Sequence, residues 1–364
     1  MLLREISHII ESFAPLHLQE KYDNSGLQIG EPDMIITGAL IAIDITESVL
    51  DEAIAKRCNL IISHHPLIFS GLKSLTGKNE VEKCVLKAIK NDVAIYCAHT
   101  NMDNVIDGVS GKMAEILNLK NIRVLQPSDG SLMKLAVFVP KLYSFKLRET
   151  IFEAGAGQIG DYDNCSYTTE GLGTFRAGEN ANPFVGEPGK IHTEPEVKIE
   201  VIFPANISDK VLRVLYNVHP YEEPAYDLIQ LKNRDKNLGS GIVGELENEV
   251  DESVFLNIIK TKFKCLTIRH SDLCDKKIKT VALCGGSGKF LLANAIAAKA
   301  DIFISADFKY HDFFEAEKRI LMADIGHFES EQFTKDIFYE IITKKIPTFA
   351  IQISEINTNP INYL

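Results

Sequence analysis

The sequence predicts an α/β protein in which a discontinuous domain, built on a mostly parallel sheet covered by helices, carries an inserted α+β domain of the ferredoxin-like type. Short apolar strands alternate with amphipathic helices over about the first 125 residues, and the same alternation returns after residue 279. Between these stretches the strands are β-branched or alternate in polarity. Continuously apolar strands between helices are typical of a parallel sheet that helices cover on both faces.

Each half of the larger domain supplies three of its predicted strands. In the first half, apolar runs that are each followed by a helical pattern predict strands at 39–46, 60–63 and 93–100. In the second half, similar runs predict strands at 279–286, 301–307 and 321–326. The helical patterns of the second half include FFEAEKRI. Neither half has enough of these strands for a sheet of ordinary size, which favours one discontinuous domain over two consecutive ones.

The middle of the chain contains two β-α-β patterns. Its strands are predicted at KLAVFVP (134–140), VKIEVIFP (197–204) and LIQL (228–231), and a Gly-, Asn- and Thr-rich segment separates the first two. Two β-α-β units within about 100 residues are typical of a small ferredoxin-like domain. We therefore place the inserted domain at 129–235 and the discontinuous domain at 1–128 and 236–364.

Composition excludes several classes of function. The net charge of −11 and the lack of a Lys/Arg-rich run argue against a protein that binds the nucleic-acid backbone. The seven cysteines are scattered without a Cys-x-x-Cys pair, which is typical of a reducing compartment. No apolar stretch approaches the roughly 18 residues of a membrane span, and the acidic N-terminal segment does not resemble a signal peptide. The sequence therefore predicts a cytoplasmic protein with no membrane partner.

The first candidate site is the histidine pair His64 and His65, at the end of the second predicted strand. Ligands of open α/β sheets collect beyond the carboxyl ends of the strands. Because successive side chains of a strand point to opposite sides, the two imidazoles are better placed to hold two neighbouring ions than to share one. The alternative is that one histidine caps the following helix and the other is half exposed.

Two other predicted strands end in the same kind of residue. His99 and Asp103 come at and after the end of the third strand, and His327 and Glu331 follow the last one. His327 and Glu331 are four residues apart, so on a helix they lie on one face within reach of a shared ion. Taken singly, Asp103 fits a turn and Glu331 fits ordinary helix N-terminal chemistry. Three such signals at strand ends of one sheet favour a joint site.

The number of candidate ligands indicates two metal ions. Three imidazoles and two carboxylates (His64, His65, His327, Asp103 and Glu331) exceed what one zinc accepts when a position stays open for substrate. They suit two ions with one bridging carboxylate. We expect Glu331 to be the bridge, because it lies one helical turn after His327 and its carboxylate can serve two cations. Nitrogen and carboxylate ligands without thiolate point to Zn, Fe or Mn rather than Ca or Mg.

Several residues outside this set are also candidates for chemistry. His99 is the preferred acid/base, since a histidine beside a metal can pass protons near neutral pH. Asp307 and His311 follow a strand and could orient metal ligands or contact substrate, with a surface role as the alternative. The loop 285–288 fails the P-loop template; its amides could receive an anion, or it forms only a tight strand-to-helix turn. The Pro-bracketed acidic segment 219–224 is assigned no chemistry.

Five segments of the sequence resemble the Nif-three-like family, whose members often carry the name GTP cyclohydrolase I type 2 homologue. They are YDNSGLQIG (22–30), IISHHPLIFSGLKSL (61–75), AHTNMD (98–103), ALCGGSG (282–288) and GHFESE (326–331). The resemblance covers the chain in order, and the middle segment looks like the CutA-like insertion of the longer bacterial members. It implies a di-metal site at the five candidate ligands and a toroidal homohexamer whose metals face an internal cavity.

Together, these features predict a dinuclear metal-dependent hydrolase that acts on a small anionic or nucleotide-like substrate, with zinc or iron as the expected metals. The alternative is a non-catalytic metal-binding or regulatory ring assembly that docks a ligand or partner through the insert. A coordination position open to substrate would indicate the enzyme. A site filled entirely by protein ligands would indicate the alternative.

Overall fold

The computed structural model describes residues 1–364, and the chain divides into two compact units. The first unit comprises Met1–Pro127 and Lys236–Leu364, and the second comprises Ser128–Asp235. The first unit contains two β-sheets and the second contains one. None of the helices combines the length and the hydropathy that a membrane crossing requires.

The five-stranded sheet of the first unit is mostly parallel. In spatial order its strands are β1 (Gly26–Ile29), β4 (Ala94–Cys97), β3 (Leu60–Ser63), β2 (Ala39–Ala42) and β15 (Ile351–Ile353), and only β1 pairs antiparallel. One face packs against α1 (Leu3–Phe13) and α11 (Thr334–Lys345), and the other against α2 (Glu47–Ala55) and α3 (Glu80–Lys90). Strands β2, β3 and β4 are buried at every residue, which explains their continuous apolar runs.

The prediction of one mostly parallel sheet is wrong for the later strands, which form a second, six-stranded sheet. Its order is β11 (Arg269–His270), β14 (Leu321–Asp324), β13 (Ile302–Ala306), β12 (Lys277–Ser287), β10 (Gly239–Asp251) and β5 (Lys120–Pro127). Only β13 pairs parallel, with β12 and with β14. Strands β5 and β10 each contain a run of exposed residues, and this polarity hides them from a search for apolar strands.

Helices also cover both faces of the second sheet. One face packs against α5 (Val109–Ile116) and α8 (Glu252–Lys262), and the other against α9 (Leu292–Ala297) and the 3-10 helix Tyr310–Ala316. That 3-10 helix replaces the longer helix predicted from FFEAEKRI. It ends because Glu317 and Lys318 both adopt left-handed backbone conformations just before β14.

Two short helices, α4 (Thr100–Asp103) and α10 (His327–Glu331), follow strands β4 and β14. Each begins within three residues of the end of its strand. The residues that the sequence singled out after these strands therefore lie in the first turn beyond a sheet edge.

The second unit has the element order β-α-β-β-α-β. It consists of β6 (Leu132–Pro140), α6 (Ser144–Glu153), β7 (Tyr167–Arg176), β8 (Ile191–Pro204), α7 (Ser208–Val218) and β9 (Tyr226–Gln230). The strands form an antiparallel sheet in the order β7-β8-β6-β9, with α6 and α7 packed on one face. The sequence did not indicate β7, because almost all its residues are exposed.

The core position of Phe338 on α11 generates a stability prediction. Its side chain is fully buried among residues of α1 and the first sheet. Phe338→Ala leaves a cavity, and we expect it to lower the free energy of unfolding by about 3–5 kcal/mol in urea unfolding followed by circular dichroism. The control is Phe145→Ala on α6, where the ring is exposed and the expected change is under ~0.5 kcal/mol. Equal effects of the two variants would contradict the core assignment.

Candidate metal centre

Residues from the carboxyl ends of several strands of the first unit converge on one point. His64 and His65 follow β3, and their backbone amides donate to Ala42 and Ile43 at distances of 3.4 and 2.9 Å. His99 stands at the start of α4, and Asp103 is the last residue of that helix. Helix α10 contributes its first and last residues, His327 and Glu331. The structure thus brings all six sequence-predicted site residues together.

The carboxylate of Glu331 lies at the centre of the group. Its Oε2 is 2.9 Å from Nε2 of His65, 3.1 Å from Nε2 of His327 and 3.7 Å from Nε2 of His64. The Oδ1 atom of Asp103 is also 3.7 Å from Nε2 of His64. Three sets of possible ligand atoms lie within 4.8 Å of one another: His64, Asp103 and Glu331; His65, His327 and Glu331; and His64, His65 and His99. Glu331 is common to the first two sets.

The other nitrogen of each histidine has an acceptor that fixes the ring. Nδ1 of His65 is 2.7 Å from Asp44, Nδ1 of His327 is 2.7 Å from Asp307, Nδ1 of His99 is 2.7 Å from Asp23, and Nδ1 of His64 is 3.0 Å from the carbonyl of Ala98. Because a carbonyl or carboxylate only accepts, Nδ1 donates in every case. The lone pair of a neutral ring is then on Nε2, the nitrogen available to a metal.

Three buried atoms at the centre test whether this arrangement fits a metal. Nε2 of His64 and Oδ1 of Asp103 are inaccessible to solvent and make no hydrogen bond, and the equally inaccessible Oε2 of Glu331 faces imidazole nitrogens. Burial raises the pKa of the Asp103 carboxyl. Buried polar atoms without partners are costly, and two of them beside a buried carboxylate form a donor set that a cation satisfies. The residues present therefore fit a metal ion.

Protons compensate part of the negative charge when no metal is bound. Burial by itself lowers the pKa of His65, but the carboxylates of Asp44 and Glu331 raise it to about 10. Burial likewise opposes the raised pKa of His327, which Asp307 and Glu331 bring to about 11. The site thus attracts positive charge strongly, and a divalent cation would replace these protons on binding.

The glycines at the end of β12 make room for the central carboxylate. A side chain at Gly286, where φ is +60°, would overlap the carboxylate of Glu331. The amides of Gly285 and Gly286 already donate to the hydroxyls of Ser110 and Ser330, at 3.3 and 2.9 Å. Because both amides are occupied, they are not free to receive an anion, and the residues 285–287 continue the strand, so that the turn to the next helix lies at Gly288.

One side of the centre is accessible and carries aromatic rings. The side chains of His99, His65 and His327 are 16%, 23% and 35% exposed, whereas His64 is completely buried. Phe69 packs edge-on against His99 with ring centroids 6.3 Å apart, and Tyr22 lies 6.4 Å from Phe69. Phe69 and Tyr22 are themselves 50% and 67% exposed. Solvent therefore reaches the centre past an aromatic rim.

Two carboxylates of the centre were not predicted from the sequence. Asp44 and Asp23 orient His65 and His99, and the only sequence signal for Asp44 is its position just after β2. Asp307 does orient a ligand, His327. His311 lies edge-to-face with exposed Tyr310, with centroids 5.1 Å apart, and belongs to none of the candidate ligand sets, in agreement with the surface role.

Comparisons with known proteins agree with the resemblance seen in the sequence. The chain is 34% identical over 370 residues to the GTP cyclohydrolase 1 type 2 homolog of Bacillus subtilis (strain 168), covering 99% of this chain and 98% of that protein. The crystal structure of a Bacillus cereus protein related to NIF3 matches with a TM-score of 0.85 and 36% identity, covering 100% of this chain and 99% of that one. Staphylococcus aureus protein SA1388 matches with a TM-score of 0.81 and 30% identity, with the same coverage.

The family model described as Duf34/NIF3 (NGG1p interacting factor 3) matches residues 1–360. The match spans both units and includes every residue of the candidate metal centre. The predicted family is thereby confirmed, and the chain belongs to the DUF34/NIF3 family.

Proposed function

We propose that this protein is a dinuclear metal-dependent hydrolase that acts on a small anionic, nucleotide-like substrate. The observation that carries the proposal is the asymmetry of the centre: on one side Nε2 of His64 and Oδ1 of Asp103 are buried and without partners, while three imidazoles are accessible on the other. A site that holds ions from one side and leaves the other open is typical of catalytic rather than structural metal centres. The relatives' name, GTP cyclohydrolase 1 type 2 homolog, is consistent with hydrolytic chemistry.

We assign one ion to His64, Asp103 and Glu331, and the other to His65, His327 and Glu331. The shared Oε2 of Glu331 supports its role as the bridge, since it alone lies near imidazoles of both sets. The nitrogen and carboxylate donors favour zinc or iron. When bound, the two ions would supply Lewis acidity and lower the pKa of water.

His99 is the proposed acid/base. Asp23 holds its Nδ1 at 2.7 Å, and its ring lies 5.3 Å from the ring of His64 and 5.4 Å from that of His65. With Nδ1 donating to a carboxylate, Nε2 can take a proton from a nucleophile and return it to a leaving group, and Asp23 stabilises the imidazolium in between.

The aromatic rim supports a substrate with a planar ring. Phe69 contacts His99, Tyr22 contacts Phe69, and both are exposed, so a base stacked on them would place its attached groups at the open side of the centre. Stacking of a base on an aromatic side chain contributes about 1–3 kcal/mol and tolerates any base. Negative charge on the substrate would be matched by the cations.

We also propose that the chain forms a closed homohexamer, and that its insert is a CutA-like module of the ferredoxin-like type. The β-α-β-β-α-β order of the insert supports the second statement. The hexamer is proposed from family membership. An exposed aromatic patch at Tyr310 and Phe314, which are 73% and 64% exposed with centroids 5.4 Å apart, also supports an interface between chains. Exposed apolar patches often mark interfaces between chains.

The assignment of the bridge predicts how metal content responds to substitution. Wild-type protein loaded with zinc and desalted should retain close to two metals per chain by elemental analysis. Glu331→Gln keeps the shape but weakens the ligand to both ions, so occupancy of both positions should fall, whereas Asp103→Asn should empty mainly one. Glu329→Gln on the same helix is the control, because that carboxylate belongs to no ligand set. If Glu331→Gln retains two metals and Asp103→Asn loses both, the bridging ligand is Asp103 and not Glu331.

The role of His99 predicts a separation of chemistry from metal binding. In a panel of nucleotides and phosphoesters, His99→Asn should lower kcat on the best substrate by about 10²–10⁴ while both metals remain bound. His311→Asn, which changes an exposed histidine outside the ligand sets, should leave kcat unchanged. If wild-type protein with two metals hydrolyses nothing in the panel, or if His99→Asn is fully active, the hydrolase proposal in this form fails.

The proposed assembly is tested by mass. Static light scattering at micromolar concentration should give about six chains per particle, and Tyr310→Ser with Phe314→Ser should reduce that number if the patch is an interface. Secondary structure and metal content of the double variant serve as controls for folding. A monomeric mass for the wild-type protein would contradict the hexamer.

A further inference from the structure

The second unit contains a pocket of about 740 Å³ on the sheet face opposite its helices. Along β8, Val197 and Ile199 are buried against α6 and α7, so the alternate residues Glu196 and Lys198 point to the other face. That face and the segments 177–184 and 221–225 line the pocket. Its size lies within the range of small-molecule sites.

Aromatic rings form the apolar part of its wall. The centroid of Tyr221 is 6.0 Å from that of Phe175 and 6.4 Å from that of Phe184, with interplanar angles of 59° and 47°. Phe138 lines the same pocket. Because the rings are inclined rather than stacked flat, their faces are not all covered by one another. The face of an aromatic ring attracts a cation.

The polar part of the wall is predominantly acidic. Four glutamates line the pocket, Glu170, Glu196, Glu222 and Glu223, against one lysine, Lys198. The lysine ammonium lies 3.3 Å from Glu200 and the Glu170 carboxylate lies 2.7 Å from Lys141, both partners being outside the lining, so Glu196, Glu222 and Glu223 keep the wall negative. This excess of negative charge disfavours an anion and favours a cation.

One carboxylate of the wall is held in a defined position. The hydroxyl of Tyr221 donates to Oε1 of Glu196 at 2.8 Å. The second carboxylate oxygen lies against Gly173 on β7, where any Cβ would overlap it. At Gly171, two residues earlier on the same face, a Cβ would meet nothing within 4 Å. The glycine at 173 thus makes room for the carboxylate, beside the aromatic wall.

We infer that this pocket is a second ligand site, which binds a small organic cation, such as a quaternary or protonated amine with an apolar body. The ring faces and the carboxylates both attract positive charge, and the apolar walls favour a cation that carries hydrocarbon rather than a bare metal ion. The site consists only of residues of the insert and is independent of the proposed hydrolase chemistry.

Calorimetric titration of the full-length protein tests the charge requirement. The probes are benzyltrimethylammonium, benzyl alcohol as an uncharged aromatic of similar size, and benzoate as the anion. We expect the cation to bind about tenfold or more tightly than the alcohol, and benzoate to give no heat. Equal binding of cation and alcohol, or no binding of the cation at millimolar concentration, would overturn the inference.

Matched variants test the location of the site. Gly173→Ala should displace the Glu196 carboxylate and weaken binding of the cation about tenfold, while Gly171→Ala should change it less than twofold. Phe175→Leu keeps apolar volume but removes a ring face, and should weaken the cation more than the alcohol. Circular dichroism confirms that each variant folds. If Gly173→Ala and Phe175→Leu bind the cation as the wild type does, the pocket is not a cation site. The same conclusion follows if the wild type does not bind the cation and Phe175→Leu only lowers the particle mass in light scattering.

Discussion

A single carboxylate oxygen, Oε2 of Glu331, sets the constraint on which the rest of the centre depends. It is buried and has imidazole nitrogens of three histidines within 3.7 Å. A buried anion requires compensating positive charge, and here that charge comes from protons or from cations. The backbone accommodates it, since Gly286 leaves the necessary space and donates its amide to Ser330, which joins α10 to β12 next to the carboxylate.

The residues around this oxygen differ between a closed side and an accessible side. On the closed side, His64 is fully buried and Asp103 has an oxygen without a partner, so that side offers fixed donor atoms to a cation. On the accessible side, each imidazole is braced from behind by a carboxylate that is itself on a strand end or loop. Such bracing fixes the direction of the reactive nitrogen without closing the approach to it.

The ligands and the buried strands could be predicted from the sequence because both leave simple patterns: apolar runs, and clustered His, Asp and Glu directly after them. The roles of Asp44 and Asp23 could not be predicted, because an isolated Asp near a strand end is most often a turn or cap residue. Only the fold shows which histidine each of them faces. The four-residue spacing of Asp307 and His311 carries no information about a shared face, for a different reason. Asp307 adopts a left-handed conformation ahead of a 3-10 helix, so the alignment of residues four apart on an α-helix does not apply. The separation into two sheets was not predicted, because the half-exposed antiparallel strands β5 and β10 lack continuous apolar runs.

The exchange of strands between the two halves of the first unit has a consequence for biosynthesis. β15 pairs with β2 in one sheet, β5 pairs with β10 in the other, and His65 and His327 are 262 positions apart in the sequence. Contacts of such long range form slowly, because loop-closure entropy is lost before they stabilise the chain. A nascent chain on the ribosome would expose the histidine pair long before its carboxylate partner exists. The full set of candidate metal ligands is therefore assembled only after Glu331 has been synthesised and the chain has folded.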